Sequence, residues 1–106
     1  MAHIEITAAA DEDTAFIIDD LANKAGGKVA LRYEADFDTF YRRLEQFPES
    51  GAPRRKLGAT VRIGVVSPYV IFYRYVAADD VALILRILHG SRNITRRMLR
   101  QPPSQP

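Results

Sequence analysis

Three β-rich runs in the second half of the chain, Ala59–Val66 (ATVRIGVV), Tyr69–Val76 (YVIFYRYV) and Val81–Leu88 (VALILRIL), are joined by very short connections. Ser67-Pro68 and Ala77–Asp80 supply two and four residues, whereas a parallel crossover needs about a dozen or more. Successive antiparallel hairpins are therefore expected. Periodicity alone would also allow the third run to be a short buried helix. Its branched residues, and its bounds at Asp79-Asp80 and His89-Gly90, favour a strand.

The first half carries a different pattern. Ala2–Thr7 (AHIEIT) alternates Ile4 and Ile6 against polar neighbours, as a strand with one buried face does. From about Ala9 to Ala25 the spacing is helical, with Ile17, Ile18, Leu21, Ala22 and Ala25 on one side. Asp11, Glu12 and Asp13 sit near its start, where the positive end of the helix dipole favours them. Gly26-Gly27 ends this helix, and a second runs from about Lys28 to Phe47, with Val29, Tyr33, Phe37, Tyr41 and Leu44 on one stripe. Pro48–Gly58 (PESGAPRRKLG) has no periodicity and reads as a loop.

The resulting order predicts an α+β domain: an N-terminal strand, a helical hairpin, then a three-stranded antiparallel meander, with both helices on one face of an antiparallel sheet. Residues 1–100 are expected to form one domain, and 101–106 (QPPSQP) a disordered tail.

A chain of 106 residues can bury enough surface to fold without staples, and this one has no cysteine and only His3 and His89. A disulfide framework or a structural metal site has almost no ligands to draw on, so no metal and no cofactor are expected. No basic apolar leader opens the sequence, and no apolar run approaches the ~20 residues of a spanning helix. The expectation is a soluble, unexported, cytoplasmic protein without a membrane partner.

Charge is distributed unevenly. Residues 1–53 hold five Lys/Arg against eleven Asp/Glu, a net of −6, and residues 54–106 hold ten against two, a net of +8. A basic face suited to nucleic acid or to an acidic partner is one reading, and a fold that interleaves the halves is the other. Arg54, Arg55 and Lys56 read as a solvated loop, and His89 as a side chain that satisfies backbone groups at a strand end. On the second run Val70, Phe72, Arg74 and Val76 share one face, and Tyr69, Ile71, Tyr73 and Tyr75 the other.

FP-x-x-G at Phe47–Gly51, YVIFYR at Tyr69–Arg74 and ILRILHGSRNI at Ile84–Ile94 together resemble the signature of ParE-type toxins in the RelE/ParE superfamily. The resemblance implies a type II toxin–antitoxin module, with a cognate antitoxin folding on the toxin in a hetero-oligomeric complex. ParE-type members inhibit DNA gyrase without catalysis, whereas RelE-type members cleave mRNA on the ribosome. For the RelE-type alternative the candidate catalytic set is Arg62, Arg74, Arg86 and His89, which could stabilise a phosphorane and move a proton. No tyrosine follows Tyr75, however, where RelE-type enzymes usually place one near the C-terminus, and this favours the non-catalytic ParE reading. Candidate target- or antitoxin-binding residues are Tyr73, Arg74, Arg86, His89, Arg92, Asn93, Arg96, Arg97 and Arg100. The last basic segment, Ser91–Arg100, is expected to form a short helix whose arginines dock on a partner, and truncation after Ile94, which removes Arg96, Arg97 and Arg100, is expected to leave the fold intact.

Overall fold

The computed structural model describes residues 1–100, so the expectation for the 101–106 tail lies outside the described residues. The elements are β1 (His3–Ile6), α1 (Ala8–Ala25), α2 (Gly27–Gln46), β2 (Ala52–Pro53), β3 (Val61–Val66), β4 (Tyr69–Val76), β5 (Val81–His89) and α3 (Arg96–Arg100). They build an α+β fold around one five-stranded sheet of order β1-β5-β4-β3-β2. The meander β3-β4-β5 is antiparallel, as its short connections require.

Two features differ from the sequence reading. First, β1 lies parallel to β5, so the sheet is mixed rather than antiparallel. The helical hairpin makes this possible by carrying the chain across one face to the opposite edge of the sheet, from which the meander returns to lay β5 beside β1. Second, the Pro48–Gly58 loop contributes β2, two residues paired with β3.

Thr7 sets the junction of β1 and α1. Its backbone N–H donates to the Ile84 carbonyl at 3.1 Å, extending the parallel ladder by one bond. Its hydroxyl oxygen caps α1 by accepting from the Ala10 N–H at 3.1 Å, and that hydroxyl donates to the Leu85 carbonyl at 3.1 Å. One residue thus ends a strand, starts a helix and ties both to β5. Gly26 performs the next reversal. It takes φ of 96°, a backbone region that disfavours any residue with a Cβ, and lets α2 begin at once.

The main core lies between the hairpin and the sheet. Ala10, Ile17, Phe37 and Leu44 from the helices pack on Tyr69, Ile71, Tyr73, Ala82, Ile84 and Ile87. Edge-on aromatic pairs, Tyr33 with Tyr69 at 5.7 Å and Phe40 with Tyr73 at 6.4 Å, join α2 to β4. The odd-numbered residues of β4 are therefore the helix-facing set.

Strict alternation along β5 would send Ala82, Ile84, Arg86 and Leu88 to one face. A register shift prevents it: Phe72 pairs with Arg86 but Tyr73 with Ile84, leaving Leu85 as an extra residue in a bulge. Ile84 and Ile87 consequently both reach the helix-side core, and Arg86 and Leu88 do not follow Ile84 into it.

The far face of the sheet is not simply solvated. Val61, Phe72, Leu88 and Leu99 form a second buried cluster, with Leu57, Ile63, Val70, Leu85, Ile94 and Met98 packed around it. The expectation that residues after Ile94 are dispensable to the fold is thereby corrected, because Leu99 on α3 closes this cluster at 9% exposure. Leu99→Ala should lower stability by about 2 kcal/mol or more. A chain ending at Ile94 should lose more, since Val61, Phe72 and Leu88 would then face water. Urea unfolding followed by circular dichroism measures both, and an unchanged midpoint for the truncated chain would show that α3 contributes nothing to the fold.

Candidate functional site

Arg86 is 6% exposed and Asp13 8% exposed, and the two are bonded twice. Nε and Nη2 of Arg86 donate to the two carboxylate oxygens of Asp13 at 2.6 and 2.8 Å. The Ile87 backbone N–H donates to the same carboxylate at 3.0 Å, and Arg86 Nη1 donates to the Met98 carbonyl at 2.7 Å. β1 pairs with β5 only as far as Ile84, so beyond that point the edge of β5 is open, and a side chain from α1 caps it. Arg86 is therefore a structural tie between α1, β5 and α3. The sequence reading counted it among the binding and catalytic candidates, and the structure places it inside the protein, bonded to Asp13.

Tyr73, another binding candidate, is likewise held inside the protein. It is fully buried, and its hydroxyl accepts the Gly51 N–H at 2.8 Å. Any Cβ at position 51 would meet the Ile63 carbonyl at 2.7 Å as well as the Tyr73 ring, which is why glycine stands at the end of the FP-x-x-G motif. Arg62 holds the same loop from the other side, donating to the carbonyls of Glu49 and Gly51, both at 2.8 Å, with the Glu49 carboxylate 3.7 Å away. His89 is exposed at the end of β5. Its Nδ1 accepts the Ser91 N–H at 3.1 Å and lies 2.7 Å from the Ser91 hydroxyl, which agrees with its reading as a strand-end cap.

The alternative catalytic set is thus distributed over three places. Arg62 clamps the 49–51 loop, Arg86 and His89 line a groove beside α1, and Arg74 stands exposed on the far face of the sheet. The tyrosines are poorly placed as bases too. Burial pushes the Tyr69 and Tyr73 hydroxyls up, burial and then Asp38 and Asp11 push Tyr41 up to about 12, and the hydrogen bond to Asp80 raises Tyr75. Ionising any of them near neutral pH is disfavoured.

What the fold does assemble is a cleft on the far face, about 490 Å3 in volume. Its floor is apolar, from Leu57, Val61, Leu83, Leu85 and Leu99, and its rim carries Arg74, Arg96 and Arg100. Arg96 and Arg100 are one helical turn apart on α3, while Leu99 anchors that helix to the sheet. Arg96 Nε also donates to the Lys56 carbonyl at 2.7 Å, which brings the 54–56 loop alongside. Arg74 and Arg100 form no ion pair among the described residues. Arg92 lines the groove with His89 instead, and Asn93 and Arg97 are exposed outside both.

Sequence reasoning missed Asp13 and Thr7. The signal for Asp13 was present: Ala10, Asp13 and Ile17 follow helical spacing along the buried stripe of α1, and Arg86 is the lone charged residue inside the apolar third strand. An acid on a buried stripe requires a partner.

Residues 4–94 match the family model for the ParE toxin of type II toxin–antitoxin systems, parDE. Toxin ParE3 of Caulobacter vibrioides is 33% identical over 79 residues, covering 74% of this chain and 77% of that protein. A solved structure of the chromosomal ParDE TA system from P. aeruginosa superposes with a TM-score of 0.70 at 25% identity, over 84% of this chain and 96% of that one. The toxin–antitoxin complex RelBE2 from Mycobacterium tuberculosis shares the fold at a TM-score of 0.60 and 20% identity, over 83% and 96% of the two chains.

Removing one member of the buried pair leaves the other charge uncompensated. Asp13→Ala should therefore cost about 3 to 5 kcal/mol. The double substitution Asp13→Leu, Arg86→Met should recover much of that loss, because both charges then leave the interior together. Denaturation midpoints of the two variants decide the point, and equal losses in both would mean that the pairing itself is not what matters.

Proposed function

This chain belongs to the ParE toxin family of type II toxin–antitoxin systems, and on that premise we propose that the free protein inhibits DNA gyrase and that a cognate antitoxin keeps it inactive. The observation that carries the non-catalytic reading is the dispersal of Arg62, Arg74, Arg86 and His89. Phosphodiester cleavage needs a proton-transfer group and cationic groups around one reacting phosphate. Here one arginine is committed to a carboxylate inside the protein and another to a loop backbone. Inhibition by occupancy requires a complementary surface and no such convergence.

The antitoxin's seat is the basic-rimmed cleft. Its floor suits apolar side chains, and its three guanidinium groups suit carboxylates presented beside them. An antitoxin segment that folds on binding would bring both, covering apolar surface that the free toxin leaves open. A parallel line of support is that the matched relatives at 33% and 25% identity are themselves named as a ParE toxin and a ParDE system.

Adding free toxin to purified gyrase should depress supercoiling and accumulate cleaved DNA. Unaffected gyrase, together with cut mRNA in a translating ribosome extract, would replace this reading with the RelE-type one. At the cleft, Arg74→Glu should weaken antitoxin binding by about tenfold or more in calorimetry, the effect of losing one charge-assisted contact of about 1.4 kcal/mol or more. It should leave the thermal midpoint of the toxin unchanged, because Arg74 is exposed.

A further inference from the structure

Two segments forty residues apart in the chain meet at the hydrogen bond between Arg96 and the Lys56 carbonyl. The contact gathers Arg54, Arg55 and Lys56 beside the arginines of α3. All of these side chains are exposed, and none forms an ion pair among the described residues. Nearby acids do not neutralise them. Residues 54–106 contain only Asp79 and Asp80 as acids, Asp80 is engaged by the Tyr75 hydroxyl at 2.5 Å, and Glu49, which shares a cleft with Arg55, faces Arg62.

Fold stability does not account for this gathering. Like charges at Arg96 and Arg100, four apart, repel each other in a helix, and a third arginine at 97 adds to the same short element. Leu99 and the Met98 carbonyl are what α3 contributes to packing. Arg97, Arg100 and the cations of the 54–56 loop form no ion pair among the described residues.

We propose that the surface formed by Arg54, Arg55 and Lys56 binds the phosphate backbone of duplex DNA, so that the toxin holds DNA directly and without help from gyrase or antitoxin. Chemistry distinguishes this surface from the adjoining cleft. The cleft has an apolar floor, as a folding peptide needs for anchorage, whereas the hollow at Arg54–Lys56 is lined, among the described residues, by those three and Pro53. Phosphate backbones need no apolar anchor. They are held by unpaired cations, guanidinium above all, and release counterions on binding. Non-sequence-specific affinity, with a Kd on the order of 10 μM at physiological salt, is the expected strength.

Fluorescence anisotropy of a labelled mixed-sequence duplex, titrated with the purified toxin over a range of salt concentrations, tests the proposal. Three phosphate contacts correspond to a slope of log K against log salt of about −2.7. Arg54→Gln, Arg55→Gln, Lys56→Gln together should reduce that slope by about 2.7 and weaken binding at low salt at least tenfold. Lys28→Gln, Arg32→Gln, on the exposed surface of α2, should change neither, and circular dichroism should give the same thermal midpoint for all three proteins. Absence of binding at low salt overturns the proposal, as does equal binding by the triple variant. Preference for polyglutamate over the duplex also overturns it, and would assign the surface to an acidic protein. Loss of gyrase inhibition or of antitoxin binding is read in separate assays, so failure there leaves this result standing.

Discussion

Asp13 and Arg86 join three elements that no backbone ladder connects. β5 has a strand partner on its outer side only through Ile84, so the rest of that edge needs another acceptor for the Ile87 N–H. Asp13 supplies it from α1, and the charge thereby placed inside the protein demands a cation within reach. The bulge at Leu85 keeps Arg86 out of the apolar layer under the hairpin and lets it face both the carboxylate and α3. Each feature makes sense only with the other two. Bonded on every side, such a pair fixes one arrangement of helix, strand and tail, although an apolar replacement could match its stability.

Much of the fold was legible because its local signals agree with its global packing. The Ser67-Pro68 and Ala77–Asp80 connections force hairpins, and the apolar stripes of α1 and α2 name the helix faces that are buried. The partner of β1 was not legible. A four-residue strand with one buried face carries no record of whether it will pair at the β3 side or the β5 side, or in which direction; the closure contacts of the hairpin decide. The bulge was hidden for a related reason. Alternation in β5 looks continuous because Leu85, Ile87 and Leu88 are all apolar, so an inserted residue leaves no trace in the hydrophobic pattern.

The candidate site was legible as chemistry but not as placement. Arginines spaced along successive strands look like a convergent set when only sequence is considered. Strand faces, loop clamps and the bulge then send them to different destinations. Several residues that carry the family resemblance prove to be fasteners: Gly51 and Tyr73 close the loop after α2, Arg86 ties the tail, and His89 with Gly90 shapes the turn after β5. A motif of fasteners identifies a fold reliably, and says little about where a partner docks. Arg74, by contrast, sits within the same YVIFYR motif and stands on the open face without an ion pair among the described residues.

Charge asymmetry between the two halves of the chain therefore survives folding instead of averaging out. The acids of residues 11–20 and 34–38 are largely exposed on the helix layer, while the cations of residues 54–56, 74 and 96–100 collect beyond the opposite face of the sheet. The sheet between them is the apolar layer that both sets of helices bury. Gathering the cations there has a mechanical consequence. The segment that carries the arginines, α3, is also the cover of the second core, so a partner that grips it pulls on Leu99 and on the Met98 carbonyl that Arg86 holds. The basic face and the far-side core thus share the five residues of α3, and Arg86 of the buried ion pair holds that helix through the Met98 carbonyl.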